Sequence, residues 1–131
     1  MISVDALIEA LRSEGYEADR RLATAVFLAL RLKRPLLLEG DPGVGKTELA
    51  KALSQALGRV LVRLQCYDGL ELREALYEWN YAAQMLHMRA AASLDQLQQV
   101  EQEVYQERYL IERPLLKALR CPDPGAVLLI D

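Results

Sequence analysis

The sequence predicts an α/β fold, three layers with helices on both faces of a parallel sheet, and three observations carry that expectation. Two uninterrupted apolar runs, Leu36–Leu38 and Ala126–Ile130, each entered from a proline-bearing turn, have the composition of strands covered on both faces. A glycine-rich loop leads from the first run into a helical stretch. Between the two runs the apolar residues recur mostly at helical spacing.

In chain order, Ser3 is placed to cap a helix whose apolar positions Val4, Leu7, Ile8 and Leu11 continue until Gly15. A second helix is expected from about Asp19 to Lys33, with Leu22, Val26, Phe27 and Leu30 on one face, ending before Pro35. Leu36–Leu38 follows as a strand, then the glycines, then a helix from about Lys46 that Gly58 ends. In "RVLVRL" Val60, Val62 and Leu64 alternate with Arg59 and Arg63, as in an edge strand. From about Leu70 one long helix is predicted, with a stripe through Leu72, Leu76, Trp79, Ala83, Leu86 and Ala90, and a second through Tyr77, Tyr81, Met85 and Met88. The thin seam Leu94, Leu97, Val100 and Val104 predicts a further helix forming a hairpin with it. Pro114 suits the first position of another helix, and "PDPG" turns the chain into "AVLLID".

The totals exclude several classes. With 131 residues, 52% hydrophobic and 27% charged, the chain is long and apolar enough for one folded domain. A net charge of −3 with dispersed basic residues predicts neither nucleic acid nor membrane as a partner. Cys66 and Cys121 have no metal-site spacing and only one histidine, His87, to join them, so they read as reduced thiols. The acid-bearing N-terminal stretch resembles neither a signal peptide nor a span, and a cytoplasmic protein is expected.

Residues 40–47, "GDPGVGKT", fit the phosphate-loop pattern G-x-x-x-x-G-K-[ST]. Gly43 and Gly45 permit backbone angles that turn successive N–H groups inward, making a nest for anions. The helix beginning at Lys46 adds its dipole and its unpaired N–H groups. Lys46 is suited to the β and γ phosphates of ATP, the Thr47 hydroxyl to Mg²⁺, and Pro42 to stiffening the loop. The predicted binding segment is Gly40, Asp41, Pro42, Gly43, Val44, Gly45, Lys46, Thr47 and Glu48. Asp131, closing the second apolar run, is the expected second Mg²⁺ residue. The bland alternative is a glycine turn joining strand to helix, and the strand and helix flanking the pattern weigh against it.

At these residues the sequence resembles AAA+ ATPases, a P-loop NTPase group, and within them the MoxR-like branch that includes the CoxD type, an accessory ATPase of carbon monoxide dehydrogenase maturation. The likeness extends over "ADRRLATAVFLALRLKRPLLLEGDPGVGKTELAKALSQALG", "RLQCYDGL", "ALYEWNY" and "ERYLIERPLLKAL". It implies nucleotide phosphates at Gly40–Thr47, a Walker B aspartate at Asp131, and adenine near Gly15 and Tyr16. It also implies a ring-forming machine that remodels or helps assemble a metalloenzyme, with a metalloenzyme client or a von Willebrand A-type partner. The family sets a glutamate after the Walker B aspartate, and later a sensor, an arginine finger and a lid. None of these is found in residues 1–131, so no catalytic residue is assigned and ATP binding without hydrolysis is expected of this chain.

The family strand order 5-1-4-3-2 implies about three strands here, closing up as 1-3-2. The resemblance divides the chain, as the N-terminal part of a single ATPase domain, into leading helices (1–34), the loop strand, helix and edge strand (35–65), a helical insertion (66–121) and the Walker B strand (122–131). Two other functions compete: a small P-loop kinase, or a nucleotide-binding interaction module without turnover.

Other residues have open readings. His87 reads as a packing or surface residue of a helix. Tyr77, Trp79, Tyr81, Met85 and Met88 serve either the core or a client contact. Arg108 and Arg113 either pair with Glu107 or Glu112 or face a neighbouring subunit's nucleotide.

Overall fold

The computed structural model describes residues 2–41, 43, 45–90 and 94–131. The expectations placed on Pro42, Val44 and the Leu94 side chain lie outside the described residues. The helices are α1 (Val4–Ser13), α2 (Arg20–Leu32), α3 (Lys46–Leu57), α4 (Leu72–Leu76), α5 (Tyr81–Arg89), α6 (Leu94–Glu103) and α7 (Pro114–Leu119). The strands are β1 (Val60–Leu64), β2 (Tyr77–Trp79), β3 (Leu110–Glu112) and β4 (Ala126–Ile130). The chain divides into two compact units, Met1–Val62 with Cys121–Leu129, and Arg63–Arg120 with Ile130–Asp131.

In the first unit, helix caps written in the sequence fix the starts of two helices. Ser3 Oγ accepts the Ala6 N–H at 3.1 Å and Asp19 Oδ1 the Leu22 N–H at 2.7 Å, each satisfying a donor the helix leaves open. Lys33, left-handed at φ 53°, closes α2, and the Arg34 N–H returns to the Ala29 carbonyl at 3.0 Å. Both helices are thus bounded within a residue of where the sequence put them. α1 lies against α2 and α3, and Leu7, Leu11, Val26, Leu49 and Ala52 form the buried centre. Leu7 and Leu11 are fully buried, worth roughly 1.5–3 kcal/mol each.

The expected strand at Leu36–Leu38 is corrected. The segment is extended but belongs to no sheet, and β1 pairs with β4 alone, so the sheet is two-stranded rather than three-stranded in the order 1-3-2. Leu38 is held by its side chain, which packs on the core, while Leu37 is 81% exposed. Apolar composition selects extended backbone, but a ladder also needs a neighbour, and Pro35 brings no N–H to one.

β1 and β4 run parallel. Where they end, the Asp131 N–H donates to the Leu64 carbonyl at 3.0 Å and the Cys66 N–H to the Asp131 carbonyl at 2.6 Å. One residue bonded to two positions spaced by two on its neighbour is the parallel pattern.

The second unit departs from an all-helical insertion. β2 and β3 are antiparallel, with Tyr77 opposite Glu112, Glu78 opposite Ile111 and Trp79 opposite Leu110. The single long helix expected from Leu70 is therefore broken at Tyr77. Aromatic residues favour a pleated surface, and Asn80 starts a new helix by accepting the Ala83 N–H at 3.1 Å. Trp79 is edge-on to both Tyr77 and Tyr105, with ring centroids at 6.0 and 5.4 Å. The expected helical hairpin is present as α5 against α6. Buried Gln84 ties it, its Nε2 donating to the Val104 carbonyl at 2.5 Å.

Candidate functional site

The candidate loop belongs to the first unit and is shaped by two backbone angles. Gly43 and Gly45 have φ of 89° and 92°, a region closed to most side chains, and α3 starts directly after Gly45. Gly45 at the N-cap has no side chain to cap α3, and among the described residues no side chain accepts from its first-turn N–H groups. Lys46 Nζ folds back onto the Gly40 carbonyl at 2.5 Å, closing the loop with its own cation. Thr47, half-buried like Lys46, follows in the first turn of α3.

The remaining candidates are more dispersed. Asp41 is exposed, and Glu48 is exposed and paired with Lys51 at 2.8 Å. Tyr16 is brought to the loop, since its Cε2 and hydroxyl lie 3.7 Å from where a β-carbon on Gly45 would stand. Burial, and after it the Asp19 carboxylate, push the Tyr16 phenol above its ordinary value of 10.0. Sequence spacing alone gives no sign of this contact, which depends on how α1 and α2 pack on α3.

Asp131 belongs to the second unit, where Arg63 holds its carboxylate, Nη2 to Oδ2 at 2.6 Å and Nε to Oδ1 at 3.3 Å. The Arg63 hydrogen bond is the main cause that holds the Asp131 carboxyl below its ordinary 3.8, against a smaller opposing effect of desolvation. Sequence reasoning left Arg63 as a solvent-facing strand residue and missed this pairing, which requires the β1–β4 register. Among the described residues no group of three or more His, Cys, Asp and Glu is placed to hold a metal ion.

Three of the residues with open readings have side-chain partners within the second unit. His87 Nε2 lies 2.7 Å from Glu103 Oε2, and Arg108 lies 3.6 Å from the same carboxylate, its guanidinium over the Tyr109 ring. Arg113 pairs with Glu78 across the β2–β3 pair. Glu107 and Glu112, the partners expected for these arginines, are both taken by Arg120, at 2.6 and 2.7 Å. Adjacent residues on a turn point apart, so the pairs form across the fold instead.

Glycines in left-handed conformation, a lysine turned onto the loop and an uncapped helix directly behind it define part of a P-loop NTPase fold. The AAA domain of the dynein-related subfamily matches residues 35–131, and the chain belongs to that family of ATPase domains. It is 44% identical over 54 residues to a midasin of Giardia intestinalis and 37% identical over 54 residues to a midasin of Dictyostelium discoideum. Each match takes in 41% of this chain and 1% of the midasin. A Lon protease of Nitratidesulfovibrio vulgaris is 60% identical over 38 residues, 28% of this chain and 5% of that protein. The chain thus spans a small fraction of the curated relatives it matches. No solved structure matches it.

No helix among the described residues is long and apolar enough to cross a membrane.

Proposed function

We propose that the chain binds ATP together with Mg²⁺ through Gly40–Thr47. The observation that carries this reading is the Lys46 ammonium on the Gly40 carbonyl, beside two left-handed glycines and the uncapped start of α3. Such a loop concentrates N–H donors, a helix dipole and a cation, and so favours a polyanion over a neutral ligand. Lys46 would neutralise phosphate charge, the loop N–H groups would orient the chain of phosphates, and Tyr16 packs the loop from the core side. Mg²⁺ arriving with the nucleotide would supply further charge neutralisation, with the Thr47 hydroxyl as the ligand the loop offers.

The finer reading is a MoxR-like AAA+ ATPase of the cytoplasm, a homo-oligomeric ring whose hydrolysis cycle remodels or assembles a metalloenzyme, with a von Willebrand A-type partner. Membership of the AAA family supports its general part, and the stretches "RLQCYDGL" and "ALYEWNY" support the branch.

Titration of a fluorescent ATP analogue, with and without Mg²⁺, tests the site. Lys46→Ala is expected to abolish binding and Thr47→Ala to weaken mainly its Mg²⁺-dependent part. Unchanged affinity in Lys46→Ala refutes the site.

A further inference from the structure

We propose that Tyr16 is a positioning residue of the phosphate loop, its ring edge a backstop that keeps the start of α3 from retreating into the core. It would hold the N–H nest open for a triphosphate whatever base the ligand carries, a role that rests on the reading of Gly40–Thr47 as an ATP site.

The way α1 ends fixes the backbone of Tyr16. Gly15, left-handed at φ 79°, turns the chain so that its own N–H donates to the Arg12 carbonyl at 2.9 Å and the Tyr16 N–H to the Leu11 carbonyl at 2.9 Å. These are the two bonds of a Schellman turn, which sets the residue after the glycine back against the last turn of the helix. The half-buried Tyr16 ring packs on the cluster of Leu7, Leu11, Val26, Leu49 and Ala52. Main chain and ring are thus both anchored in the core of the first unit.

The tip of the ring faces Gly45. A β-carbon on Gly45 would stand 3.7 Å from Tyr16 Cε2 and 3.7 Å from its hydroxyl, and apart from Gly45's chain neighbours no other described atom comes within 4 Å of that point. Room is left for a methyl group and no more. Gly45 is also committed to α3, since its carbonyl accepts the Leu49 N–H at 2.9 Å as the first bond of that helix. Its φ of 92° is therefore held between a helix and a wall. Carbon and oxygen stand equally close, so the ring edge rather than the hydroxyl alone is the stop. A loop held this way loses less freedom on closing over phosphates, which is how preorganisation raises affinity. The family resemblance instead implies adenine near Tyr16, and the two roles separate on a ligand that has no base.

The test titrates the full chain with ATP and with inorganic tripolyphosphate, Mg²⁺ present, and follows hydrogen exchange. Tyr16→Ala is expected to weaken both ligands by the same factor, about tenfold, and to speed exchange at the Gly45, Lys46 and Thr47 amides. Tyr16→Leu, which keeps core packing but is too short to reach Gly45, gives the same reading should the alanine variant not fold. Tyr16→Phe keeps the ring edge and should stay within about twofold of the parent for both ligands. Val26→Ala loosens the same cluster away from Gly45 and, where circular dichroism shows it folded, should also stay near the parent. The proposal is overturned if the truncated variants weaken ATP alone, which would put the ring against the base, or if they leave both affinities unchanged. It is equally overturned if Tyr16→Phe or Val26→Ala falls as far as Tyr16→Ala. A parent chain that binds neither ligand would sink the ATP reading and this role with it, a result distinct from all the others.

Discussion

The Arg63 guanidinium grips the Asp131 carboxylate through two nitrogens, at 2.6 and 3.3 Å, where β1 and β4 end. The same place carries the backbone bonds from Asp131 to Leu64 and from Cys66 to Asp131. Side chains and main chain thus specify one register, and a slip of one residue would move Arg63 to the other face. Because Arg63 holds the Asp131 pKa down, the pair contributes above the ordinary value of 3.8 and is lost as pH falls through the lowered value. Arg63→Gln is expected to speed hydrogen exchange at the Cys66 and Asp131 amides a few-fold near neutral pH, and much less in acid. Equal exchange at both pH values would show the pair to be idle.

Gly45→Ala isolates the backbone requirement of the loop. The nearest atoms to an added β-carbon belong to Tyr16 at 3.7 Å, an ordinary contact, so the substitution is not blocked by a clash. A φ of 92° still disfavours alanine, by about 1–2 kcal/mol for a left-handed L-residue. The empty loop can relax to relieve this, whereas a loop closed on phosphates cannot. Triphosphate affinity should therefore fall about tenfold while the thermal midpoint hardly moves. A large fall in the midpoint with unchanged affinity would place the role of Gly45 in folding alone.

Burial is the main cause of the raised Tyr16 phenol, with Asp19 adding to it, and this sets the sign of a pH effect. An acid whose folded pKa is raised stabilises the fold fully below its unfolded value, here 10.0, and that stability is lost as pH rises through the folded value. Ultraviolet titration of tyrosinate should show a late component that Tyr16→Phe reduces without removing, because Tyr67 is raised as well. Tyr16→Phe should also flatten the decline in stability above pH 10.0. An unchanged late component would mean that Tyr16 is open to solvent.

What the sequence disclosed depended on the range of the interaction. Ser3 and the glycines act on backbone within a few residues, and each was legible with its consequence, whereas Asp19 was legible as the start of a helix and not as its cap. The apolar run Leu36–Leu38 disclosed extended backbone, but pairing is a property of two segments, and its partner is not encoded in the run itself. The Tyr77–Trp79 break was hidden because its residues also fit a helical stripe. Tyr77 and Trp79 both serve as strand residues once Leu110–Glu112 lies alongside. Tyr16 beside Gly45, Arg63 on Asp131 and His87 on Glu103 join residues 16 or more positions apart, beyond what spacing resolves.

Gln84 gives the sharpest test of the second unit. It is only 7% exposed, and its Nε2 donates to the carbonyl of Val104, itself 5% exposed, tying α5 to the end of α6. Gln84→Met keeps much of the volume and removes the donor, so the Val104 carbonyl is left buried without this partner. The cost of such an orphaned acceptor is about 1–3 kcal/mol. Trp79 is the one tryptophan of the chain and sits edge-on to Tyr77 and Tyr105, so its fluorescence reports this unit. Urea unfolding followed at Trp79 should therefore shift to lower denaturant in Gln84→Met, with Gln98→Met, at an exposed position of α6, as the control that stays near the parent. Equal behaviour of the two variants would mean that water replaces the lost bond and that the α5–α6 hairpin is held by its apolar contacts alone.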